Sequence, residues 1–108
     1  MTDTQDVVMI YTTFATVADA AAVGRRLVEE RLAACVNILP AMHAIYRWKD
    51  AVEEADEAVM LVKTKAATAE AAAARIEKLH PYETPAVLVL PVTGGSAPYL
   101  AWIAGETR

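Results

Sequence analysis

The sequence predicts an α+β protein: a ferredoxin-like βαββαβ sandwich with a C-terminal helix and an extended hairpin. Four apolar segments rich in strand-forming residues alternate with two segments whose apolar residues recur at helical spacing, in the order β-α-β-β-α-β. That order is the split βαβ arrangement, in which right-handed crossovers place both helices on one face of a four-stranded antiparallel sheet. The segment that would form the second strand is longer than such a domain requires, which predicts the extended hairpin.

Residue types and a cap indicate the first strand and the first helix. Residues 7–13 are rich in strand formers and predict a buried strand. Thr16, with Asp19 three residues later, resembles a capping box and opens a helix that runs to about Leu32. One apolar stripe at 3.6-residue spacing follows this helix: Val17, Ala20, Ala21, Gly24, Leu27, Val28 and Leu32.

Alternating apolar and polar stretches indicate the remaining elements. Thr68 can cap the second helix, and Pro98 lies near the first turn of the last helix. The predicted order is an extended run at residues 35–48, a turn at 49–56, a strand at 58–65, a helix at 69–79, a strand at 86–92 and a short helix after 95. These elements predict a single domain, residues 1–108, in which residues 1–6 form a loose tail.

The second strand is too long to stay within a compact domain. Its fourteen residues would span roughly 46 Å at about 3.3 Å each, whereas a compact chain of this size has a radius of gyration of about 13 Å. The strand must therefore bend at Pro40 or leave the body of the domain. Tyr46 and Trp48 would lie on the protruding part, where exposed aromatic residues favour pairing with another chain. We expect oligomerisation through this hairpin; the alternative is a strongly coiled hairpin folded back on its own sheet.

Composition narrows the class of protein and its partners. Apolar residues make up 56% of the 108 residues and charged residues 22%, which is typical of a globular protein. Ten basic and fourteen acidic residues give a net charge of −4, which disfavours nucleic acid and anionic membranes as partners. No signal peptide or membrane-spanning apolar stretch is visible, and the one cysteine cannot form an internal disulfide. We expect a cytoplasmic protein.

The segment HPYETP at residues 80–85 joins a helix to a strand and carries the most informative polar residues. Its two prolines stiffen the backbone and hold His80, Tyr82 and Glu83 close together. His80 could bind a metal or carry a proton, or it could simply interact with the last carbonyls of its helix. Glu83 could bind a cation or form an ion pair with a neighbour. The apolar run that follows predicts a strand covered on both faces.

Two further residues are candidates for a ligand cleft together with Tyr82 and Glu83. Cys35 could be a soft metal ligand or a nucleophile, although a lone cysteine among apolar neighbours is more typical of a small buried side chain. Lys63 could anchor an anion or a carboxylate, or it could protect a strand edge. His43 has no partner that spacing identifies, so we take it as structural or solvated. The acidic residues Glu53, Glu54, Asp56 and Glu57 could collect cations weakly, although we expect them at a solvated hairpin tip.

Motifs for catalysis are missing from the sequence. It contains no paired-cysteine zinc spacing, no phosphate-binding loop and no glycine fingerprint for dinucleotides. A nucleophile such as Cys35 would need a base such as His80 within reach, and the sequence does not establish that proximity. We therefore do not expect an enzyme.

Several motifs in order along the chain resemble the CutA family of divalent-cation tolerance proteins. The most specific are HPYETP with the apolar strand after it, and YLAWI at residues 99–103. The others are RLAACVN at residues 31–37, IYRW at 45–48 and KT at 63–64. The resemblance extends from about Val7 to the end of the chain.

The resemblance implies a homotrimer with hairpins exchanged between subunits, similar to the PII signalling proteins. It implies tolerance to divalent metals, with Cu²⁺ or another divalent cation or a small molecule bound in clefts between subunits. Tyr46, Trp48 and Trp102 are then residues of the oligomer interface. Where family members with assigned copper ligands have a cysteine and two histidines, this chain resembles them only in His80, which makes His80 the metal candidate. The alternative function is a PII-like signalling or scaffold protein that acts through a protein partner and has no metal role.

Overall fold

Four strands and three α-helices make up the computed structural model, which describes residues 6–108. They are β1 (Val7–Phe14), α1 (Val17–Glu29), β2 (Cys35–Trp48), β3 (Ala51–Lys65), α2 (Ala69–Leu79), β4 (Val87–Val92) and α3 (Ala97–Glu106), with a 3₁₀ turn at Ala66–Thr68 before α2. The strands form one sheet in the order β2-β3-β1-β4, with every neighbouring pair antiparallel. This is the ferredoxin-like arrangement, so the predicted fold class is confirmed.

The predicted loose tail falls almost wholly outside the described residues. Of residues 1–6 only Asp6 is described, and its carbonyl oxygen accepts a hydrogen bond of 3.0 Å from the backbone nitrogen of Ala66. Asp6 is therefore tied to the end of β3.

The core lies between α1, α2 and one face of the sheet. Fully buried Ile10 and Phe14 of β1 contact the apolar stripes of the helices, represented by Leu27 and Ile76. Complete burial of a side chain of this size stabilises the fold by about 1.5–3 kcal/mol. Gly24 allows α1 to approach the sheet closely, because a Cβ atom there would lie 2.8 Å from Cγ2 of Val36.

The caps show where local signals predicted helix ends correctly and where they did not. Thr16 caps α1 as predicted, accepting a 3.0 Å hydrogen bond from the backbone nitrogen of Asp19. The helix ends at Glu29 and not near Leu32, because Arg31 adopts a left-handed φ of 61° that turns the chain. Leu32 still belongs to the core, which explains its place in the apolar stripe.

The predicted cap of the second helix is wrong. The hydroxyl of Thr68 donates to the carbonyl of Arg108 and does not cap α2.

The predicted turn at residues 49–56 is wrong. The turn consists of Lys49 and Asp50 alone, with φ angles of 51° and 68° that suit a two-residue hairpin loop. The polar stretch after it is not a loop but the first half of β3, where charged side chains are tolerated because both faces of the ladder are solvated. The acidic residues predicted at the hairpin tip therefore lie along a strand.

The end of this hairpin leaves the body of the protein. β1 pairs only with residues 58–65 of β3, so residues 51–57 pair with β2 alone. We call residues 42–57 the arm. Its base lies at a register shift between Leu39 and Met42, where Pro40 interrupts the ladder. The radius of gyration is 14.5 Å and the longest dimension 48 Å, against about 13 Å expected for a compact chain. The hairpin thus extends and does not fold back on its own sheet.

The prediction that β4 is covered on both faces is wrong for the single chain. Leu88 and Leu90 of β4 pair with Tyr11 and Met9, which alternate with the core residues of β1 and so lie on the sheet face away from α1 and α2. Leu88 is 59% exposed and Leu90 44%. We call this side the open face. Its apolar side chains are those of a buried strand, but within residues 6–108 Leu88 and Leu90 remain about half exposed.

Membrane-spanning helices were not expected from the sequence. Within residues 6–108, every helix is too short or too polar to cross a lipid bilayer.

Candidate functional site

A groove with a volume of about 730 Å³ lies between the arm and the end of the sheet. Three parts of the chain supply its walls: the end of β1, the arm, and the loop between α2 and β4. The side chains that define it are Tyr11 of β1, Tyr46, Trp48, Glu53 and Glu57 of the arm, and Tyr82 and Glu83 of the loop. Pairing of Tyr46 with Glu53 places both on the same side of the arm. The groove therefore continues from the open face onto the arm.

His80 anchors the loop that forms one wall of this groove. It is 7% exposed, and its ring stacks on Phe14 with centroids 4.2 Å apart. Nε2 lies 2.6 Å from the carbonyl oxygen of Thr13, and Nδ1 lies 3.1 Å from the backbone nitrogen of Tyr82. Because a carbonyl can only accept and an amide N–H can only donate, Nε2 carries the proton and Nδ1 accepts. His80 is thus a neutral imidazole with both nitrogens engaged.

This geometry bears on both sequence interpretations of His80. A metal ion at Nδ1 would displace the Tyr82 amide, and one at Nε2 would displace the Thr13 carbonyl. The metal role of His80 stays a prediction that would require breaking one of these bonds. The ring does not interact with the last carbonyls of its own helix either, since its Nε2 partner is 67 residues away in the sequence. In the single chain His80 joins β1 to the loop.

Tyr82 connects the same loop to the base of the arm. Its hydroxyl donates a 2.8 Å hydrogen bond to Glu57, and its ring packs 4.7 Å from that of His80. Burial, and after it the hydrogen bond to Glu57, raise the pKa of the Tyr82 phenol well above its usual value. The phenol therefore stays a donor at physiological pH and holds the Glu57 carboxylate toward the groove.

The groove is aromatic and acidic. Of the residues that line it, four are aromatic and four acidic, and none of the lining residues in the described part of the chain is lysine or arginine. Glu83 is exposed at the rim, where the prolines on either side of it hold the loop. The groove is therefore a region of negative potential with apolar walls, which attracts cations.

Cys35 and Lys63 lie away from the groove. Cys35 is paired with Lys63 across β2 and β3, and Lys63 is paired with Met9 of β1. Met9 is four residues before Thr13 of β1, whose carbonyl oxygen contacts His80. The pair Cys35 and Lys63 is therefore roughly 13 Å along the strand from the His80 contact. Within one chain the four predicted cleft residues thus form two groups, and Cys35 is not within reach of His80.

Lys63 and Cys35, at the end of the sheet away from the groove, each have a partner nearby. The Lys63 ammonium donates a 3.1 Å hydrogen bond to the Tyr99 hydroxyl and lies 5.3 Å from the centre of that ring. Cys35 is half-buried, with its sulfur 4.0 Å from the side-chain oxygen of Asn37. In the single chain Lys63 fastens α3 to the sheet. Among residues 6–108, no group of three or more His, Cys, Asp or Glu side chains is arranged to hold a metal ion.

The aromatic residues predicted at an oligomer interface are partly exposed. Tyr46 is 41% and Trp48 38% exposed on the groove side of the arm. Trp102 is 44% exposed on α3, where it stacks on Tyr99 with ring centres 5.6 Å apart. Their role in an interface stays a prediction.

His43 has partners that the sequence interpretation missed. Its Nδ1 lies 2.9 Å from Asp56, directly opposite in the ladder, and its Nε2 lies 2.7 Å from Glu54. Both partners are carboxylates, so the ring is protonated on both nitrogens when these bonds are made. The misplaced turn concealed this pairing, because a strand starting at Ala51 would have placed Asp56 opposite His43.

We expect His43 to titrate above its usual pKa of about 6.5. Hydrogen bonds to Asp56 and then Glu54 raise the pKa of His43. Because the pKa of His43 is higher in the folded arm than in the unfolded chain, the protonated ring stabilises the arm fully at pH values below the unfolded-state pKa. This stabilisation is lost as the pH rises through the folded-state pKa. The measurement is the midpoint of the His43 ring signals in an NMR titration.

The two carboxylates provide the control for this titration. The E54Q/D56N variant should return the His43 midpoint toward its usual value, whereas E53Q, on the opposite side of the arm, should leave it raised. A wild-type midpoint at or below about 6.5 would show that the two ion pairs are not formed in solution.

Known proteins of similar sequence and structure share one family. The family model for "CutA1 divalent ion tolerance protein" matches residues 8–106. A divalent-cation tolerance protein CutA of Pectobacterium atrosepticum is 39% identical over 95% of this chain and 94% of its own length. Protein CutA of mouse is 43% identical over 80% of this chain, which spans about half (49%) of that relative. A crystal structure of CutA from Xylella fastidiosa superposes with a TM-score of 0.92 at 40% identity, over 95% of this chain and 99% of that one. The chain therefore belongs to the CutA1 family.

Proposed function

We propose that the chain is a cytoplasmic homotrimer that takes part in divalent-cation tolerance as a binding protein and not as an enzyme. Cations or small ligands bind in the groove at the boundary between subunits. One observation carries the proposal: the arm that reaches out of the domain also forms a wall of the acidic, aromatic groove. The names of relatives such as the divalent-cation tolerance protein of Pectobacterium atrosepticum support the metal-related role.

Two separate apolar surfaces support assembly into a ring. One is the arm with Tyr46 and Trp48, and the other is the open face with Leu88 and Leu90. Contact between two different patches is a head-to-tail contact, which forms a ring when the rotation closes. Obligate interfaces of this kind often bury about 2,000 Å² or more in total. If a neighbouring subunit covered the open face, β4 would be buried on both faces, as its apolar sequence predicts.

The groove supports cation binding by charge more than by soft ligands. Cys35 lies at the other end of the sheet, and both nitrogens of His80 are engaged. Glu53 and Glu83 line the groove. Carboxylates bind many divalent cations without strong selection among them. Cu²⁺ is therefore one weakly bound divalent cation among others.

Sedimentation and metal titration test the proposal together. We expect the protein at micromolar concentration to sediment as three chains, and the metal-free protein to bind Cu²⁺ and Zn²⁺ in calorimetry. A unit charge about 4 Å from a divalent ion contributes about 2 kcal/mol in water, so E53Q/E83Q should weaken metal binding by at least about tenfold. The C35S variant should bind as the wild type does. A stable monomer, or metal binding lost in C35S and retained in E53Q/E83Q, would refute the proposal.

A further inference from the structure

The ring of His43 joins the two strands of the arm through side-chain hydrogen bonds. Its Nδ1 lies 2.9 Å from Asp56, directly opposite in the ladder, and its Nε2 lies 2.7 Å from Glu54 on the same strand. A protonated ring donates to both carboxylates. A neutral ring has one nitrogen without a proton, and that nitrogen cannot bond to a carboxylate oxygen. The link across the arm is therefore complete only when His43 is protonated.

The charged groups around His43 are mostly acidic. Side chains alternate along a strand, so Arg47 lies on the same side of β2, but it is four residues away, roughly 13 Å along the strand. Glu57 shares with His43 the small cavity at the base of the arm, where the loop after β1 contributes no charged residue among those described. Hydrogen bonds to Asp56 and then Glu54 raise the pKa of His43. The ring thus keeps its proton more tightly when the arm is ordered.

The arm is the part of the molecule where one such link has the largest consequence. Residues 51–57 of β3 pair with β2 alone, and an isolated two-stranded ladder is only marginally stable in water. The arm also carries five carboxylates and two permanent cations: Asp50, Glu53, Glu54, Asp56, Glu57, Arg47 and Lys49. Its net charge is −3 when His43 is neutral and −2 when His43 is protonated. Loss of the proton therefore removes a link and increases the repulsion within and between arms.

We propose that His43 makes the association of subunits sensitive to pH, with tighter assembly in mildly acidic than in mildly basic solution. The inference rests on the proposed function, in which the arm is the contact between subunits, and it adds a regulation of that contact. The physical basis is proton uptake, because an equilibrium that takes up protons is favoured at lower pH.

The direction of the effect follows from the two states of the arm. In a dissociated chain the arm is uncovered and marginally stable, so His43 titrates near its usual pKa of about 6.5. In the assembled protein the ladder is held in place, and the two carboxylates keep the pKa of His43 raised. The extra stability of the trimer is complete below the usual value and is lost as the pH rises through the raised pKa.

The expected effect is small for one subunit and larger for the assembly. The side chains of His43, Glu54 and Asp56 are all more than half exposed, and an exposed ion pair changes an equilibrium constant by a factor of about two. Three subunits contribute three such factors. The dissociation constant of the trimer should therefore rise by roughly tenfold as His43 loses its proton.

Sedimentation equilibrium at about pH 6 and about pH 8 tests the inference. The measurements use one ionic strength and a concentration of urea, which is uncharged, at which trimers and monomers are both populated. His80 can also titrate in this window, so the comparison is with His43→Gln, which retains His80. We expect the ratio of the dissociation constants at the two pH values to be roughly tenfold larger in the wild type than in H43Q.

Three further variants assign the effect to the link across the arm. E54Q/D56N should show the same small ratio as H43Q, because no carboxylate then faces the ring. E53Q, on the opposite side of the arm, should keep the ratio of the wild type. His43→Arg places a permanent cation near the same carboxylates and should have the small ratio of H43Q, but with tighter association than H43Q at about pH 8.

Failure of this inference can be told apart from failure of the proposed function. Equal ratios in the wild type and H43Q, tighter wild-type association at the higher pH, or a full wild-type ratio in E54Q/D56N would each overturn the inference while the trimer stands. A wild type that sediments as a monomer at both pH values without urea would refute the proposed trimer and the inference with it.

Discussion

Replacement of Tyr46 and Trp48 together by alanine is expected to abolish the proposed trimer and to yield dissociated, aggregation-prone chains. The arm is a two-stranded ladder beyond the body of the sheet, and such ladders are marginally stable in water unless something covers them. Truncation of a buried aromatic anchor at an interface costs about 2 kcal/mol or more, so the double variant should lose on the order of 4 kcal/mol of assembly free energy. Sedimentation equilibrium over a range of protein concentrations measures the effect.

A control of similar chemistry is available on α1. Val17 and Val28 are also large, apolar and exposed, at 42% and 39%, but they belong to α1 and do not line the groove. The V17A/V28A variant should sediment as the wild type does. If the Tyr46 and Trp48 variant still formed stable trimers at micromolar concentration, the arm would not be the main contact between subunits.

The second large effect is expected for His80→Ala. The substitution removes the stack on Phe14 and leaves the Thr13 carbonyl and the Tyr82 amide without partners in a buried place. Truncation of a large buried side chain costs about 2–5 kcal/mol, and each unpaired buried polar group adds about 1–3 kcal/mol unless water reaches it. We expect a loss of at least about 3 kcal/mol in the free energy of unfolding. Denaturant unfolding at one fixed protein concentration measures it.

The other histidine is the control for this substitution. His43 is exposed on the arm, and His43→Ala should change stability much less than His80→Ala. His80→Phe keeps a ring against Phe14 but loses both hydrogen bonds, so its stability should lie between those of the wild type and His80→Ala. Equal stability of His80→Ala and His43→Ala would show that the ring of His80 does not hold the loop between α2 and β4 against β1.

Much of the fold could be predicted because its signals are local. Strand composition at residues 7–13 and the Thr16 cap depend on neighbours a few residues away, and the structure confirms both. The apolar stripe of the first helix is confirmed only in part, because Ala20, Gly24 and Leu27 are buried whereas Val17 and Val28 are exposed. The length of the second strand predicted an arm for a simple geometric reason, since fourteen extended residues cannot fit across a compact domain. The sequence HPYETP likewise indicated a stiff polar joint, and Tyr82 and Glu83 both line the groove.

The tertiary structure decided what depends on distant partners. Polar residues after Lys49 are compatible with a loop or with a solvated ladder, and only pairing with β2 distinguishes the two. His80 obtains its tautomer from Thr13, 67 residues earlier, which no local pattern could show. Within one chain, strand order and register place Cys35 at the opposite end of the sheet from Tyr82 and Glu83, which no local pattern could show. By itself the sequence determined which segments form strands and helices and which residues are chemically notable, because periodicity and capping act over a few residues. Which of those residues meet was determined by the register of the sheet, because that register depends on contacts along the whole chain.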